Sequence, residues 1–280
     1  MTPEVSAIII VRDGETFIRD AVDSILLQDG PSFELIVVDD GSTDRTSEIV
    51  RGFGGRARMV THPGRVNLGM SASRNLGIET ARGAYVAFLD ADDLWLPGKI
   101  AEQAAILDCE PSTAMVYGRT MIWRSWDGSG DDFMYGLGVT PDRTYPPGRL
   151  FRQLLVNRYQ TPTTCNAMMR RDALLAVGGA DPSLRGMFED QLLFAKLLAR
   201  YPVHVSSRCW ARYRQHAASA SASNVDGLAI DRAHLRYLSA LSAYLGHAGA
   251  PLRDRAALGR TKLKLQSRIA ARRAKRMIRR

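Results

Sequence analysis

Cysteine is scarce and scattered in this chain of 280 residues: Cys109, Cys165 and Cys209 are odd in number and far apart. That excludes a disulfide framework, offers no zinc-type spacing and fits a reducing compartment. Long apolar runs are lacking too, and no stretch approaches the roughly 20 residues of a membrane-spanning helix. Met1 to Glu4 leads straight into an apolar segment rather than through a basic and then apolar leader, so the expected location is the cytoplasm. A basic, Gly-rich loop is missing after that first segment, where Asp13-Gly14-Glu15 stands instead. This counts against the phosphate-gripping loop a nucleotidyltransferase would need. Net positive charge is also missing from most of the chain. Of the net +9, residues 252 to 280 hold +11 (twelve Lys or Arg against Asp254), which leaves −2 for everything before them. The globular part therefore carries no electrostatic footprint for nucleic acid.

What is present begins with alternation. Val5 to Val11 is an apolar run of strand length, and Phe17, Ile18, Ala21, Val22, Ile25 and Leu26 recur at helical spacing behind it. A second strand over Phe33 to Val38 ends in Asp39-Asp40-Gly41-Ser42-Thr43-Asp44, a turn with capping residues for a helix through Ile49 and Val50. Met59 to Thr61 predicts a short strand, and Ser71 opens a helix carrying Arg74 and Asn75. The run from Ala84 to Leu89 then stops at Asp90, Asp92 and Asp93, with a helix expected after Pro97. Strands that alternate with helices and twice end in paired acids predict an α/β chain with a Rossmann-like, mostly parallel sheet and a site at the carboxyl ends of its strands. Three acids within four residues repel one another and favour a divalent cation, although such a cluster also fits a plain Asp-rich turn.

In the second half, Thr113 to Tyr117 predicts a strand and Trp123 to Pro147 an irregular or hairpin-like stretch that lines a pocket. A helix is expected over Arg149 to Asn157, a strand over Cys165 to Arg170, and a short helix from Asp172 to Val177. Glu189-Asp190 precedes a strong helix from Gln191 to Arg200, where the two acids also suit the positive end of the helix dipole. Val203 to Val205 and Trp210 to Arg214 read as two short strands leading to His216. A helix through Ile230, Leu235, Leu238, Leu241 and Leu245 precedes the basic tail. That tail mixes Leu258, Leu263, Leu265, Ile269, Met277 and Ile278 with its cations, a pattern open to two readings: an amphipathic helix on an anionic membrane, or a solvated terminus. The resulting division is residues 1–120, 121–223 and 224–280, the last holding the C-terminal helices with the basic tail.

Five motifs stand in order: Val37-Val38-Asp39-Asp40-Gly41-Ser42-Thr43-Asp44, Asn67-Leu68-Gly69 through Arg74-Asn75-Leu76-Gly77, Asp90-Ala91-Asp92-Asp93, Glu189-Asp190, and Tyr213-Arg214-Gln215-His216. Together, from Val5 to His216, they resemble the family 2 glycosyltransferases. The resemblance implies a GT-A fold and inverting transfer of a sugar from a nucleotide diphosphate donor to an acceptor hydroxyl, in cell-envelope or polysaccharide synthesis. It implies that Asp40 receives hydrogen bonds from the donor base, that Arg74 and Arg214 help hold the nucleotide, and that Asp90 approaches the ribose. Asp92 would bind Mn²⁺ or Mg²⁺ with His216 as second ligand or phosphate contact. Asp190 would be the catalytic base and Glu189 its supporting neighbour. The chain departs from the family's pattern after the first strand, where Ile10-Val11-Arg12-Asp13 replaces a Pro and an aromatic stacker, and Arg12 is the candidate substitute because a guanidinium plane stacks on a base. Uridine is the expected donor nucleotide because it is common in the family. The expected acceptor is a glycan or a lipid-linked glycan, with an anionic membrane surface at the inner face of the cytoplasmic membrane as a further partner through residues 252–280. The competing classes are a nucleotidyltransferase and a non-catalytic nucleotide-sugar binding protein. The second of these has no use for both Asp92 and Asp190, which this chain retains.

Overall fold

A computed structural model describes residues 2–156, 158–216 and 227–278, with side chains through residue 274. The first half alternates as its periodicity predicts. Strands β1 (Val5–Val11), β2 (Phe33–Asp39), β3 (Arg58–Thr61) and β4 (Tyr85–Asp90) are separated by helices α1 (Ile18–Leu26), α2 (Thr46–Arg51) and α3 (Met70–Thr80). The short strand β5 (Leu94–Trp95) precedes α4 (Lys99–Cys109), which starts beyond Pro97 at Gly98, whose φ is 82°. After it come β6 (Met115–Trp123), β7 (Arg143–Tyr145), α5 (Arg149–Leu154), β8 (Ala167–Arg170), α6 (Arg171–Ala176), α7 (Glu189–Arg200), β9 (Val203–Arg214), α8 (Gly227–His247) and α9 (Leu252–Ile278).

One sheet joins the strands in the order β3-β2-β1-β4-β8-β6-β9-β5, with β7 on β9. Strands β1 to β4 are mutually parallel, β8 runs against both β4 and β6, and β6 and β9 are parallel. The register sets Asp39 beside Val11 and Asp90 beside Ile10, so the acids that close β2 and β4 emerge at one edge. Both faces of β1 are buried: Ile8 and Ile10 face the layer of α3, α7 and α8, while Ala7, Ile9 and Val11 face α1 and α4. This is why the strand reads as an unbroken apolar run rather than an alternating one.

Four expectations change. The segments Val203 to Val205 and Trp210 to Arg214 are parts of a single strand, β9. Strand β6 continues past Tyr117 to Trp123 instead of ending at Gly118. Gly118 is there for close approach: a Cβ at that position would meet the Arg208 carbonyl at 2.4 Å and the Trp210 ring at 2.8 Å. Helix α5 stops at Leu154, short of the expected Asn157, which lies outside the described residues. The division at residues 120 and 121 falls inside β6, in a sheet that both halves share, and the division at 223 lies outside the described residues.

The basic tail is a helix, and much of its apolar side is occupied, although Leu252 and Leu263 are exposed. Leu258, Leu265 and Ile269 are buried against Leu238, Leu241 and Leu245 of α8 as part of the main core. Each buried aliphatic side chain is worth about 1.5 to 3 kcal/mol, enough in sum to seat α9 on the protein rather than leave its apolar stripe for a membrane. Arg268 and Arg272 each bind Asp231 at 2.7 Å, fixing the same pairing electrostatically. Among the described residues no helix is long and apolar enough to cross a membrane.

Candidate active site

The carboxyl ends of β2 and β4 share one sheet edge, which is the candidate cleft. The N-terminus of α7 meets this edge through Arg74 of α3, 3% exposed. Its guanidinium lies 3.9 Å from Asp90 and 3.8 Å from Glu189, so residues from distant parts of the chain share one cation. Arg74 Nε and Nη1 find no hydrogen-bond partner among the described residues. Glu189, also buried, accepts hydrogen bonds from Ser71 Oγ at 3.1 Å and from the Gly186 amide. Ser71 lies at the start of α3, one turn before Arg74, so α3 grips Glu189 at two points. Asp190 sits beside Glu189 in the first turn of α7, where its Oδ1 accepts the Gln191 amide at 2.8 Å. Phe188 before it holds a left-handed backbone, φ 70°, and stacks on His234 and Tyr237 of α8 with ring centroids 4.8 and 5.6 Å away. Burial, with the Asp190 charge adding to it, raises the pKa of Tyr237, which puts that ring within electrostatic reach of Asp190.

The three acids after β4 have different surroundings. Asp90 accepts the Thr164 hydroxyl at 2.6 Å. Desolvation raises its pKa; the Arg74 charge opposes the rise, while Asp92 and Asp190 reinforce it. That last influence ties Asp190 to the Asp90 cluster as well. Asp92 is 31% exposed on its side chain and its Oδ2 lies 2.9 Å from His216 Nε2. Asp93 is fully buried, accepts the Arg214 amide at 2.9 Å, and is pushed well above the usual carboxylate range by burial and by its two acidic neighbours. Asp93 is therefore a structural member of the trio, with Asp90 and Asp92 left to the cleft.

Arg214 is not open to the cleft. It is 5% exposed and donates from Nε to the Asp92 carbonyl at 2.9 Å and from Nη2 to Asp20 at 3.1 Å. Phe17, Trp123 and Trp126 surround the guanidinium, with ring centroids 4.6, 4.7 and 5.0 Å away. The end of β9 is thus clamped to the acidic turn after β4, and this clamp delivers His216 to Asp92. Phe17 also packs on the His216 ring at 4.9 Å. An oxygen and a nitrogen donor converging in this way fit a cation such as Mn²⁺ that completes its shell with ligand phosphates. Among the described residues no group of three or more His, Cys, Asp and Glu side chains is arranged to hold a metal ion without such help.

On the far side of the cleft the loop after β1 meets the turn after β2. The Asp13 amide bonds Ser42 Oγ at 2.9 Å, and Thr43 N bonds Asp13 Oδ1 at 2.7 Å. Asp39 is buried and accepts Ser42 N and Ser47 Oγ, while the Asp40 carboxylate is held by Asn67 Nδ2 at 3.0 Å, Leu68 N at 2.8 Å and Gly69 N at 3.0 Å. Both acids therefore brace loops. Asp40, 3% exposed, joins the first and second sequence motifs to each other. Arg12 is exposed, with only Asp13 nearby at 3.5 Å. Sequence reasoning missed the roles of Ser71 and Phe17, whose partners lie far along the chain.

A mixed, mostly parallel sheet with helices on both faces and acids at its carboxyl edge is the GT-A fold. It superposes on Staphylococcus aureus TarS residues 1–349, solved in complex with UDP-GlcNAc, with a TM-score of 0.68 at 19% identity over 94% of this chain and 71% of that one. The mannosyltransferase PcManGT of Pyrobaculum calidifontis, in complex with GDP-Man and Mn²⁺, gives a TM-score of 0.57 at 19% identity over 97% and 76%. The family described as glycosyl transferase family 2 matches residues 6–178, and the chain belongs to it. Among curated relatives, an uncharacterized glycosyltransferase of Rickettsia typhi is 30% identical over 219 residues, 78% of this chain and 65% of the relative. The uncharacterized glycosyltransferase EpsJ of Bacillus subtilis is 40% identical over 93 residues, 33% of this chain and 27% of EpsJ. The chain thus matches at most about two thirds of the length of these relatives.

Proposed function

We propose that this chain transfers a sugar from a nucleoside diphosphate sugar to an acceptor hydroxyl by a metal-dependent, inverting displacement. The observation that supports it most is the Arg74 bridge, which joins the acids at the end of β4 to the first turn of α7. In this reading Asp92 and His216 would hold a divalent cation, Mn²⁺ or Mg²⁺. A cation bound there supplies Lewis-acid stabilisation of the charge that develops on the departing diphosphate. Asp190 would take the proton of the acceptor hydroxyl as the new glycosidic bond forms and the sugar–phosphate bond breaks on the opposite face. Glu189, fixed by Ser71 and Arg74, would orient Asp190 through the helix turn they share. Arg12, with the bonded loops around Asp40, would receive the base, while Arg74 and Arg214 would support the nucleotide site from beneath.

TarS with UDP-GlcNAc and PcManGT with GDP-Man and Mn²⁺ support a nucleotide sugar and a metal as ligands of this fold. A uridine donor and a glycan or lipid-linked acceptor of the cell envelope are the substrates we assign. With Leu258, Leu265 and Ile269 of α9 packed inward, contact with the inner face of the cytoplasmic membrane would rest mainly on the exposed cations of that helix. The deciding experiment offers UDP, GDP and dTDP sugars to the protein with Mn²⁺ or with EDTA and measures release of nucleoside diphosphate. Release from a UDP sugar that EDTA abolishes is the expected result. No release from any donor, with no donor bound, rejects the function.

A further inference from the structure

Beside the cleft lies a cavity of about 350 Å³ whose walls come from β6, β9 and the loops around residues 135 and 160. Two of its lining residues are themselves almost fully buried, Thr120 at 1% and Gln160 at 5% exposure. Thr120 Oγ1 and Gln160 Oε1 find no hydrogen-bond partner among the described residues. Buried polar atoms are rarely left unpaired, because each forfeits hydration without recompense. Three tyrosines share the lining: Tyr213, and the half-exposed Tyr135 and Tyr159. A cavity with aromatic walls and a few fixed polar atoms is the usual make-up of a small-ligand site.

Its place relative to the cleft is set by the backbone. Thr163 lines the cavity, and the next residue, Thr164, bonds Asp90 at 2.6 Å. On the opposite wall, Tyr213 is followed by Arg214, whose amide bonds Asp93. The cavity is therefore one residue away from the acidic turn on two sides. We propose that it binds a sugar ring of the acceptor, with ring hydroxyls bonding Thr120 and Gln160 and the C–H face of the ring against Tyr159. The proposal deepens the glycosyl-transfer reading and rests on it.

The chemistry of the unpaired atoms selects the ligand. Gln160 Nε2 donates to the Thr161 carbonyl at 2.9 Å, which fixes the amide so that Oε1 is the free end. That oxygen has only lone pairs to offer, so at its end of the cavity it calls for a donor such as a hydroxyl rather than a phosphate or carboxylate oxygen. Arg158 also lines the cavity, however, and makes the phosphate control necessary. The aromatic wall is built in as well. Gly138, φ 66°, faces the Tyr159 ring so closely that a Cβ would come within 2.3 Å of it, and Gln160 N bonds the Gly136 carbonyl at 2.9 Å. The loop around 137 thereby seats Tyr159, and the absence of a side chain at 138 makes room for the ring.

Saturation-transfer NMR with methyl β-glucoside, methyl N-acetyl-β-glucosaminide and inorganic phosphate tests the site directly. We expect transfer to the ring protons of at least one sugar. Tyr159→Ala, Thr120→Val and Gln160→Leu should each weaken it about tenfold, equivalent to the loss of one good contact. Phosphate should not compete. With an acceptor found by screening, the same variants should raise the acceptor KM by about tenfold and move the donor KM by less than about twofold. Thermal melts establish that each variant is folded, and the half-exposed Tyr159 keeps the test informative if either buried substitution fails to fold. Absence of transfer to any sugar, displacement by phosphate, or a rise in donor KM instead of acceptor KM overturns the proposal. Failure of the parent reading looks different: wild-type protein would bind and cleave no nucleotide sugar, whatever the sugars do in this cavity.

Discussion

Arg74 Nη1 stands 3.8 Å from Glu189 Oε2, and through this contact the third helix of the chain holds the first turn of the seventh. Asp90 shares the same guanidinium, so one buried cation joins the two sides of the cleft. Arg74→Met leaves two acids around an unfilled charge site. Breaking a buried pair in this way costs about 3 kcal/mol, and a fall in melting temperature with partial recovery in Arg74→Lys is the expected result. Equal melting of wild type and Arg74→Met would show that the bridge carries no stability.

Asp190→Asn keeps the shape of the residue and removes its capacity to take a proton. Turnover should fall by about 10² to 10⁴, with donor affinity by calorimetric titration unchanged. Because Glu189 makes the buried contacts and Asp190 caps only its own helix turn, the melting temperature should hardly move. Full turnover in Asp190→Asn would remove it from the role of base.

His216→Ala and Asp92→Ala separate the two assigned metal ligands. Loss of the imidazole should raise the Mn²⁺ concentration needed for half-maximal activity by about 10- to 100-fold, while loss of the carboxylate should abolish activity at any practical concentration. EDTA should reproduce the Asp92→Ala result on the wild type. A Mn²⁺ titration that is identical in His216→Ala and wild type assigns that histidine elsewhere.

Lys99 gives a pH signature away from the cleft. Fully buried, it donates to Gln103 and to the Ala167 carbonyl and lies 4.8 Å from the Trp95 ring. Desolvation lowers its pKa to about 7, with the neighbouring Cys165 opposing the shift. An unfolded lysine titrates near pH 10.4, so between about pH 7 and 10 the unfolded chain binds the extra proton and stability rises with pH. Lys99→Met removes this slope. Urea melts at pH 7 and 9.5 should show wild type gaining on the order of 2 to 4 kcal/mol relative to the variant. Parallel changes in the two proteins would contradict the assignment.

For membrane contact, α9 offers mainly charge, with Leu252 and Leu263 as its exposed apolar side chains among the described residues. Flotation with anionic vesicles should be lost at roughly 0.5 M salt, where screening lengths fall below about 5 Å, and weakened by Arg260→Glu with Lys264→Glu. Both side chains are exposed, so the reversal leaves the packing of Leu258 and Leu265 alone. Salt-independent flotation would instead point to apolar insertion.

Reading the chain without coordinates succeeds where the signal is local. Val5 to Val11 and Phe33 to Val38 declare themselves as strands because both faces are buried, and Asp39-Asp40 and Asp90 mark their carboxyl ends because a turn must follow. It fails where a long-range partner overrides a local cue. Gly118 looks like a stop and is a seat for Trp210. The tail looks amphipathic toward a membrane, yet Leu258, Leu265 and Ile269 pack into the core with α8, and Leu263 stays exposed.

By itself, then, the order of residues determined the alternating elements, the acids at their ends and the family motifs, since periodicity and turn chemistry act within a few residues. Only the tertiary structure decided which acids share Arg74, that Asp93 is buried while Asp92 meets His216, and that Thr120 and Gln160 line one cavity. Those outcomes depend on strand order and on which side chains compete for the same buried space, and neither is encoded in any short window of sequence.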